Sequence, residues 1–288
     1  MADAVVLDGK QIASQMKGQL TQELSRLPSP PQLAVLCFNT KASLLYWLAQ
    51  RARAVELEIR IDREMCPEDV KPQEVERIIE RWNADPDVHG IFVHQPLPKH
   101  IDPERLSLLI DPNKDIEGIH PQHSARRFFA KARIGSCTAL AVMRLIEETG
   151  VDLEGREAVV VGHSEIVGRP VSMLLLDALA TTTICHIGTD KARRLEGHVR
   201  RADVLVVAIG RPQFIKGDWI KPGAIVIDVG INVVEGRVVG DVEFETARRR
   251  AGFITPVPGG VGPVTVMMVM KNTVEAFKLQ HRRASGRL

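Results

Sequence analysis

Two stretches combine residue types and spacing that can do chemistry. The first, Ile254-Thr255-Pro256-Val257-Pro258-Gly259-Gly260-Val261-Gly262-Pro263-Val264-Thr265, holds three glycines and three prolines in twelve residues. Proline fixes φ and removes a donor, whereas glycine permits positive φ and close approach of a backbone to a ligand. A turn capping a helix that begins near Pro263 or Val264 accounts for one proline and one glycine. The whole string reads better as a stiff, ligand-facing loop. The second stretch, Gly162-His163-Ser164-Glu165-Ile166-Val167-Gly168-Arg169-Pro170, follows the short apolar run Ala158–Val161. Strand, glycine turn and helix in that order set a pyrophosphate on a helix N-terminus. Gly162 would admit the phosphate, Ser164 would donate its hydroxyl, and Gly168 would let the helix pack on the strand. The spacing Gly-x-Ser-x-x-x-Gly-x-Pro departs from G-x-G-x-x-G, so its position between strands carries more weight than its spelling.

The end of the next strand is where such folds read the ribose. Here it reads Cys185-His186-Ile187-Gly188-Thr189-Asp190, with no acid at the strand end itself. His163 and Arg169 are the nearest candidates to meet a 2′-phosphate. Cys185 and His186 point to opposite faces of a strand and are read as structural.

The elements that must position these stretches alternate in type. Amphipathic helices are expected at 9–27, 42–57 and 72–83, with strands at 33–38, 59–65 and 88–93. Residues 99–135 are less regular, and a helix is expected from 136 to about 150. From Ala158 the pattern restarts, with strands at 158–161, 181–186, 204–208 and 224–229, a helical segment near 241–250 and a closing helix at 264–279. The tail 281–288 is basic and expected to fray. Strand–helix alternation predicts an α/β fold with a parallel-rich sheet.

Composition narrows the class. The chain has 288 residues, 44% hydrophobic and 26% charged, with a net charge of +2, as in a globular protein. Short basic clusters lie near predicted helix ends and come with no nucleic-acid motif, so no nucleic-acid partner is expected. Four cysteines, widely spaced and without a C-x-x-C pair, argue against a zinc site and a disulfide framework. No metal is expected. No apolar run is long enough for a membrane span, and the N-terminus lacks the apolar core of a signal peptide, so the expected location is the cytoplasm.

Together the motifs resemble the bifunctional methylenetetrahydrofolate dehydrogenase/methenyltetrahydrofolate cyclohydrolase family. The resemblance rests on the glycine turn at 162–170 and the loop at 254–265. It also rests on Ile227-Asp228-Val229-Gly230-Ile231-Asn232, Gly240-Asp241-Val242, Gln95-Pro96-Leu97-Pro98-Lys99-His100-Ile101-Asp102 and Lys114-Asp115-Ile116-Glu117-Gly118. It implies two domains around a cleft. Residues 1–140 with 268–288 would form a folate-binding catalytic domain, and 141–267 a Rossmann-type NAD(P)-binding domain, the C-terminal helix returning to the first. It implies oxidation of 5,10-methylenetetrahydrofolate by hydride transfer to NADP, hydrolysis of the methenyl product to 10-formyltetrahydrofolate, and a homodimer built through the Rossmann domain. Thr138, Gly162, His163, Ser164, Ile166, Arg169 and Ile231 would bind the cofactor. Tyr46, Glu117, Pro258, Gly259 and Gly260 would meet the folate.

The same resemblance exposes departures. The family's catalytic helix carries Tyr-x-x-x-Lys, and four-residue spacing puts phenol and ammonium on one face. Here Tyr46, the only tyrosine in the chain, is followed by Gln50 where the lysine belongs. Arg51 and Arg53 lie about 100° and 300° around the helix from Gln50 and do not substitute for it. His94 stands where a catalytic glutamine is expected, and Glu117 lengthens the usual aspartate by one methylene. Pro-Cys-Thr-Pro-x-Gly has become Ser136-Cys137-Thr138-Ala139-Leu140-Ala141. An arginine expected at His163 and a serine expected at Ile187 are absent, which leaves NAD open beside NADP. Tyr46, Gln50, His94 and Glu117 are thus the catalytic positions. Hydride transfer depends mainly on positioning, while water attack leans on the missing lysine, so the dehydrogenase should survive and the cyclohydrolase be weak or lost. A catalytically degenerate folate- or nucleotide-binding paralogue with a regulatory role is the alternative.

Overall fold

The computed structural model describes residues 3–129 and 133–284, and the last part of the basic tail, 285–288, lies outside them. By contact the chain divides into two units, one of Met1–Gln15 with Thr138–Thr265 and one of Met16–Cys137 with Val266–Leu288. In chain order the first elements are β1 (Val5–Val6), α1 (Gly9–Leu24), β2 (Gln32–Phe38), α2 (Lys41–Glu56), β3 (Arg60–Cys66), α3 (Pro72–Ala84) and β4 (Gly90–Val93). Then come α4 (Pro103–Leu109), α5 (Pro121–Phe128) and α6 (Cys137–Glu147).

In the unit that begins at Met16, β2 lies between β3 and β4, all parallel. Its residues Leu33 to Phe38 are at most 1% exposed on either face, as a central parallel strand covered by helices requires. Val75, Ile79 and Trp82 form the buried stripe of α3 and pack with Ala34, Leu36 and Phe38. The far end of α3 is closed by Lys114. This buried lysine donates from Nζ to the carbonyls of Trp82 (2.8 Å), Asn83 (2.9 Å) and Asp85 (2.5 Å). The stretch expected to be irregular holds two short helices, α4 and α5. Each opens on a proline behind a capping side chain, Asp102 and His120 respectively.

The remaining elements are β5 (Glu157–Val161), α7 (Gly168–Asp177), β6 (Thr181–Cys185), α8 (Ile187–Lys191), α9 (Leu195–Arg201), β7 (Val204–Val207) and a 3₁₀ turn at Gly217–Trp219. They continue with β8 (Ile225–Asp228), a β9–β10 hairpin (Asn232–Val234 and Arg237–Val239), α10 (Phe244–Ala247), β11 (Phe253–Ile254) and α11 (Val261–Ala284). Six strands form one parallel sheet in the order β1-β11-β8-β7-β5-β6. From β5 the chain steps outward to β6 and then returns to β7 on the other side. This reversal makes a doubly wound, Rossmann-like sheet with a switch point between β5 and β7. The fold is therefore the expected α/β pair of units, with one correction at the N-terminus. Residues 1–15 were expected with the catalytic domain, but β1 pairs with β11 in the six-stranded sheet. The long closing helix is present, and its residues from Val266 onward belong with the three-stranded unit.

Replacing Lys114 by methionine would leave three carbonyls at the end of α3 without their donor. The expected loss is about 3 kcal/mol of stability, read from urea unfolding. A loss below about 0.5 kcal/mol would mean that the ammonium does not hold this end of the helix.

Candidate active site

α2 presents Ser43, Tyr46 and Gln50 toward the end of β4, where His94 follows the last strand residue. Thr40 caps the helix, its side chain accepting from the Ser43 N–H at 3.1 Å. His94 is 1% exposed and Gln50 0%. Gln50 Oε1 lies 2.8 Å from His94 Nε2, and Ser43 Oγ lies 2.7 Å from Nδ1. Burial pushes the ring down to about 4, so it is neutral near pH 7 and carries one hydrogen. An amide oxygen can only accept, which puts that hydrogen on Nε2 and leaves Nδ1 to accept from the serine hydroxyl. Gln50 Nε2 has no hydrogen-bond partner. Burial raises the Tyr46 phenol well above its ordinary value, with Cys137 and Glu117 adding to the rise and Gln50 opposing it. The Tyr46 ring is also fixed by tilted contacts with His94 and Phe92, at 5.1 and 5.8 Å between centroids.

Glu117 reaches the same region from the loop before α5. Asp115, wholly buried, shapes that loop by accepting from the N–H groups of Glu117 (3.1 Å), Gly118 (2.9 Å) and His120 (2.8 Å). Asn272 of α11 pins it from behind, donating to the carbonyls of Ile116 (2.7 Å) and Gly135 (2.8 Å). Burial first, then the Asp115 carboxyl, pushes Glu117 up to about 8, against an N–H donated by Val93. At neutral pH this carboxyl is mostly protonated and can both donate and accept. It suits a ligand edge that carries both donors and acceptors. Tyr46, Gln50, His94 and Glu117, expected together, are therefore neighbours within one unit.

The glycine turn sits at the switch point of the other unit. Gly162 ends β5 with φ +123°, and a Cβ there would fall 2.3 Å from the Ala208 carbonyl that ends β7. Ser164 Oγ accepts from the N–H groups of Val167 (3.2 Å) and Gly168 (3.4 Å), which starts α7 and leaves its hydroxyl hydrogen to donate. A cavity of about 300 Å³ opens here, lined by Gly162, His163 and Ser164 together with His186, Asp190 and Arg211 among others. The buried carboxylate of Asp241 organises the loop after β7, accepting from the Ile209 (2.8 Å) and Gly210 (2.9 Å) N–H groups and from Asn232 Nδ2 (2.9 Å). Asp228 accepts in turn from the N–H groups of Asp241 (3.0 Å) and Val242 (2.8 Å). The motif acids Asp228 and Asp241 are thus backbone organisers.

The other expected residues scatter more. Ile166 is 43% exposed on the turn, and Arg169 pairs with Glu165 at 3.1 Å; neither lines the cavity. Thr138 lies half-buried in the first turn of α6, and Ile231, at the start of the hairpin, is 70% exposed. In the 254–265 loop, Gly259 has φ +107° and its carbonyl accepts from the Gly9 N–H at 2.9 Å, while Pro258 is exposed and Gly260 buried. Cys185 is buried and His186 exposed, as opposite strand faces require, and His186 also caps α8. Ser43, Asn272 and Arg211 had no signal in the sequence, because each acts through a partner distant along the chain. Among the described residues no group of three His, Cys, Asp or Glu side chains is placed to hold a metal ion.

Two family descriptions match the chain: tetrahydrofolate dehydrogenase/cyclohydrolase, catalytic domain, over residues 7–117, and its NAD(P)-binding domain over 136–281. The chain belongs to the tetrahydrofolate dehydrogenase/cyclohydrolase family. Within it, the bifunctional protein FolD of Acetivibrio thermocellus is 45% identical over 283 residues, covering 96% of this chain and 98% of that one. A solved FolD from Trypanosoma brucei, complexed with NADP cofactor and an inhibitor, superimposes with TM-score 0.92 at 39% identity, covering 98% of this chain and 100% of that one. FolD from Campylobacter jejuni gives TM-score 0.91 at 38% identity over 96% of this chain and 99% of that one. Tyr46, Gln50, His94 and Glu117 fall within the family's catalytic-domain match, and Gly162 to Arg169 within its NAD(P)-binding match.

Glu117 has an ordinary value of 4.5 and a folded value of about 8, so the folded chain retains a proton that the unfolded chain has lost. Stability from this group is complete below about pH 4.5 and declines as pH rises toward about 8. Glu117→Gln should therefore lose less thermal stability than the parent between about pH 5 and pH 8. Parallel Tm–pH curves would show that Glu117 is not held in its protonated form.

Proposed function

We propose that the chain is an NADP-linked 5,10-methylenetetrahydrofolate dehydrogenase whose cyclohydrolase activity is weak or absent. The carrying observation is the buried bond from His94 Nε2 to Gln50 Oε1. The position that bears a lysine in the resembled family here holds a neutral amide whose oxygen is already engaged. Tyr46 and Gln50 would orient the one-carbon unit, and protonated Glu117 would meet the amino-pyrimidine edge of the pterin. Pro258, Gly259 and Gly260 would line the folate side, with Thr138 and Ile231 contributing to the cofactor site.

The switch-point cavity fits a dinucleotide. Gly162 leaves room for a backbone–phosphate approach, and Ser164 keeps a hydroxyl hydrogen to donate. NADP, when bound, supplies the hydride acceptor. The chain's own part is to bind, orient and exclude water, which is sufficient for hydride transfer. Water attack on a methenyl cation additionally benefits from a titratable group beside the reacting carbon, and Gln50 is not one. A binding-only paralogue finds no support among relatives that are themselves named bifunctional proteins. The same reading takes the protein as a cytoplasmic homodimer. The β9–β10 hairpin exposes Ile231 (70%) and Val233 (72%), and no helix among the described residues is long and apolar enough to cross a membrane.

Methylenetetrahydrofolate and NADP given to the purified protein should yield NADPH with enzyme-like turnover; absence of NADPH would remove the proposal. Gln50→Lys alone should restore little hydrolysis, because its ammonium meets an acceptor only if His94 moves its hydrogen to Nδ1 and Ser43 reverses its bond. Gln50→Lys with His94→Gln supplies an acceptor and should raise methenyl hydrolysis by about 10²-fold. Equal gains from the single and double variants would show that the two positions are not matched.

A further inference from the structure

We propose that Arg211 is the residue that reads the 2′-phosphate of NADP, with His163 and His186 beside it, and so sets the preference for NADP over NAD. This rests on the nucleotide reading of the switch-point cavity and names its specificity determinant.

In a doubly wound sheet the adenosine ribose lies beyond the end of the second strand, where an acid selects a free 2′-hydroxyl and an arginine accommodates a 2′-phosphate. Here that strand is β6, and the residue after it, His186, is an exposed imidazole rather than an acid. Its ring centroid is 5.4 Å from that of His163, the first residue after Gly162. Arg211 enters the same cavity from the loop after β7, far along the chain from both. Its guanidinium carbon lies 3.7 Å from the centroid of the Phe214 ring. A guanidinium stacked on a ring keeps its N–H edge free to grip an oxyanion bidentately. Nη1 also lies 3.5 Å from Asp190 Oδ2, which tethers the guanidinium within the cavity wall. One permanent cation and two imidazoles thus converge where a phosphomonoester would sit, opposed by a single carboxylate. Arg169 has the charge but faces Glu165 and does not line the cavity.

Asp190 supplies the competing outcome, since a carboxylate near the ribose could instead take its hydroxyls. Calorimetric titration of the full chain with adenosine 2′,5′-bisphosphate and with 5′-AMP separates the two without any turnover. The parent should bind the bisphosphate at least about tenfold more tightly than 5′-AMP, as a charge-assisted bidentate pair warrants. Arg211→Gln should abolish most of that ratio while leaving 5′-AMP within about twofold, and Arg211→Lys should keep part of it because charge remains without the fork. In steady state, KM for NADP should rise with Arg211→Gln while KM for NAD does not. A parent that does not favour the bisphosphate, or an Arg211→Gln variant that keeps the full ratio, overturns the assignment of Arg211. Failure of both fragments to bind the parent overturns the nucleotide reading beneath it as well.

Discussion

A ring nitrogen kept neutral by burial has one hydrogen to give, and in His94 it goes to Gln50. That bond fixes which end of the amide faces outward, and the rest of the catalytic region is arranged around it. Ser43 occupies the other ring nitrogen, Tyr46 packs on the ring, and the amide nitrogen of Gln50 is left without a partner. An ammonium enters this arrangement only if the ring hydrogen moves to Nδ1 and Ser43 turns from donor to acceptor, or if another acceptor replaces the ring. Gln50 and His94 therefore form one hydrogen-bonded pair, in which a change at either residue is felt by the other.

Elsewhere the same economy recurs with carboxylates. Asp115, Asp228 and Asp241 are each almost fully buried, and each accepts hydrogen bonds from backbone N–H groups of the loop that it shapes. Charge-assisted bonds of this kind are stronger than neutral ones and hold an irregular loop where no ladder can. They present Glu117 in one unit and the walls of the switch-point cavity in the other. Family motifs that look like acid–base candidates in sequence are here mostly framework.

The inner strands β2, β4, β5, β7 and β8 were legible because buried parallel strands read as continuous apolar runs, and α3 because its buried stripe recurs at helical spacing, while the two-residue β11 went unread. The two-residue strand β1 was not legible either, since its only reason to be a strand is β11, some 250 residues away in the chain. Helices α4, α5, α8 and α9 have between five and eight residues, too few for a period to show. At the site, Tyr46, Gln50, His94, Glu117 and the glycine turn could be named one at a time from motifs. The bond joining Gln50 to His94 spans 44 residues and exists only after folding. Arg211 is hidden for the same reason. A lone arginine in a loop means nothing until the sheet order sets it opposite the end of β6.

The central question is whether oxidation and hydrolysis have come apart in this protein. The direct measurement is a time course that follows NADPH, methenyltetrahydrofolate and 10-formyltetrahydrofolate together after methylenetetrahydrofolate and NADP are mixed with the protein. The matched Gln50–His94 pair predicts that methenyltetrahydrofolate accumulates nearly in step with NADPH, while the formyl product rises no faster than without protein. Formyl product that keeps pace with NADPH, with no methenyl intermediate released, would contradict it.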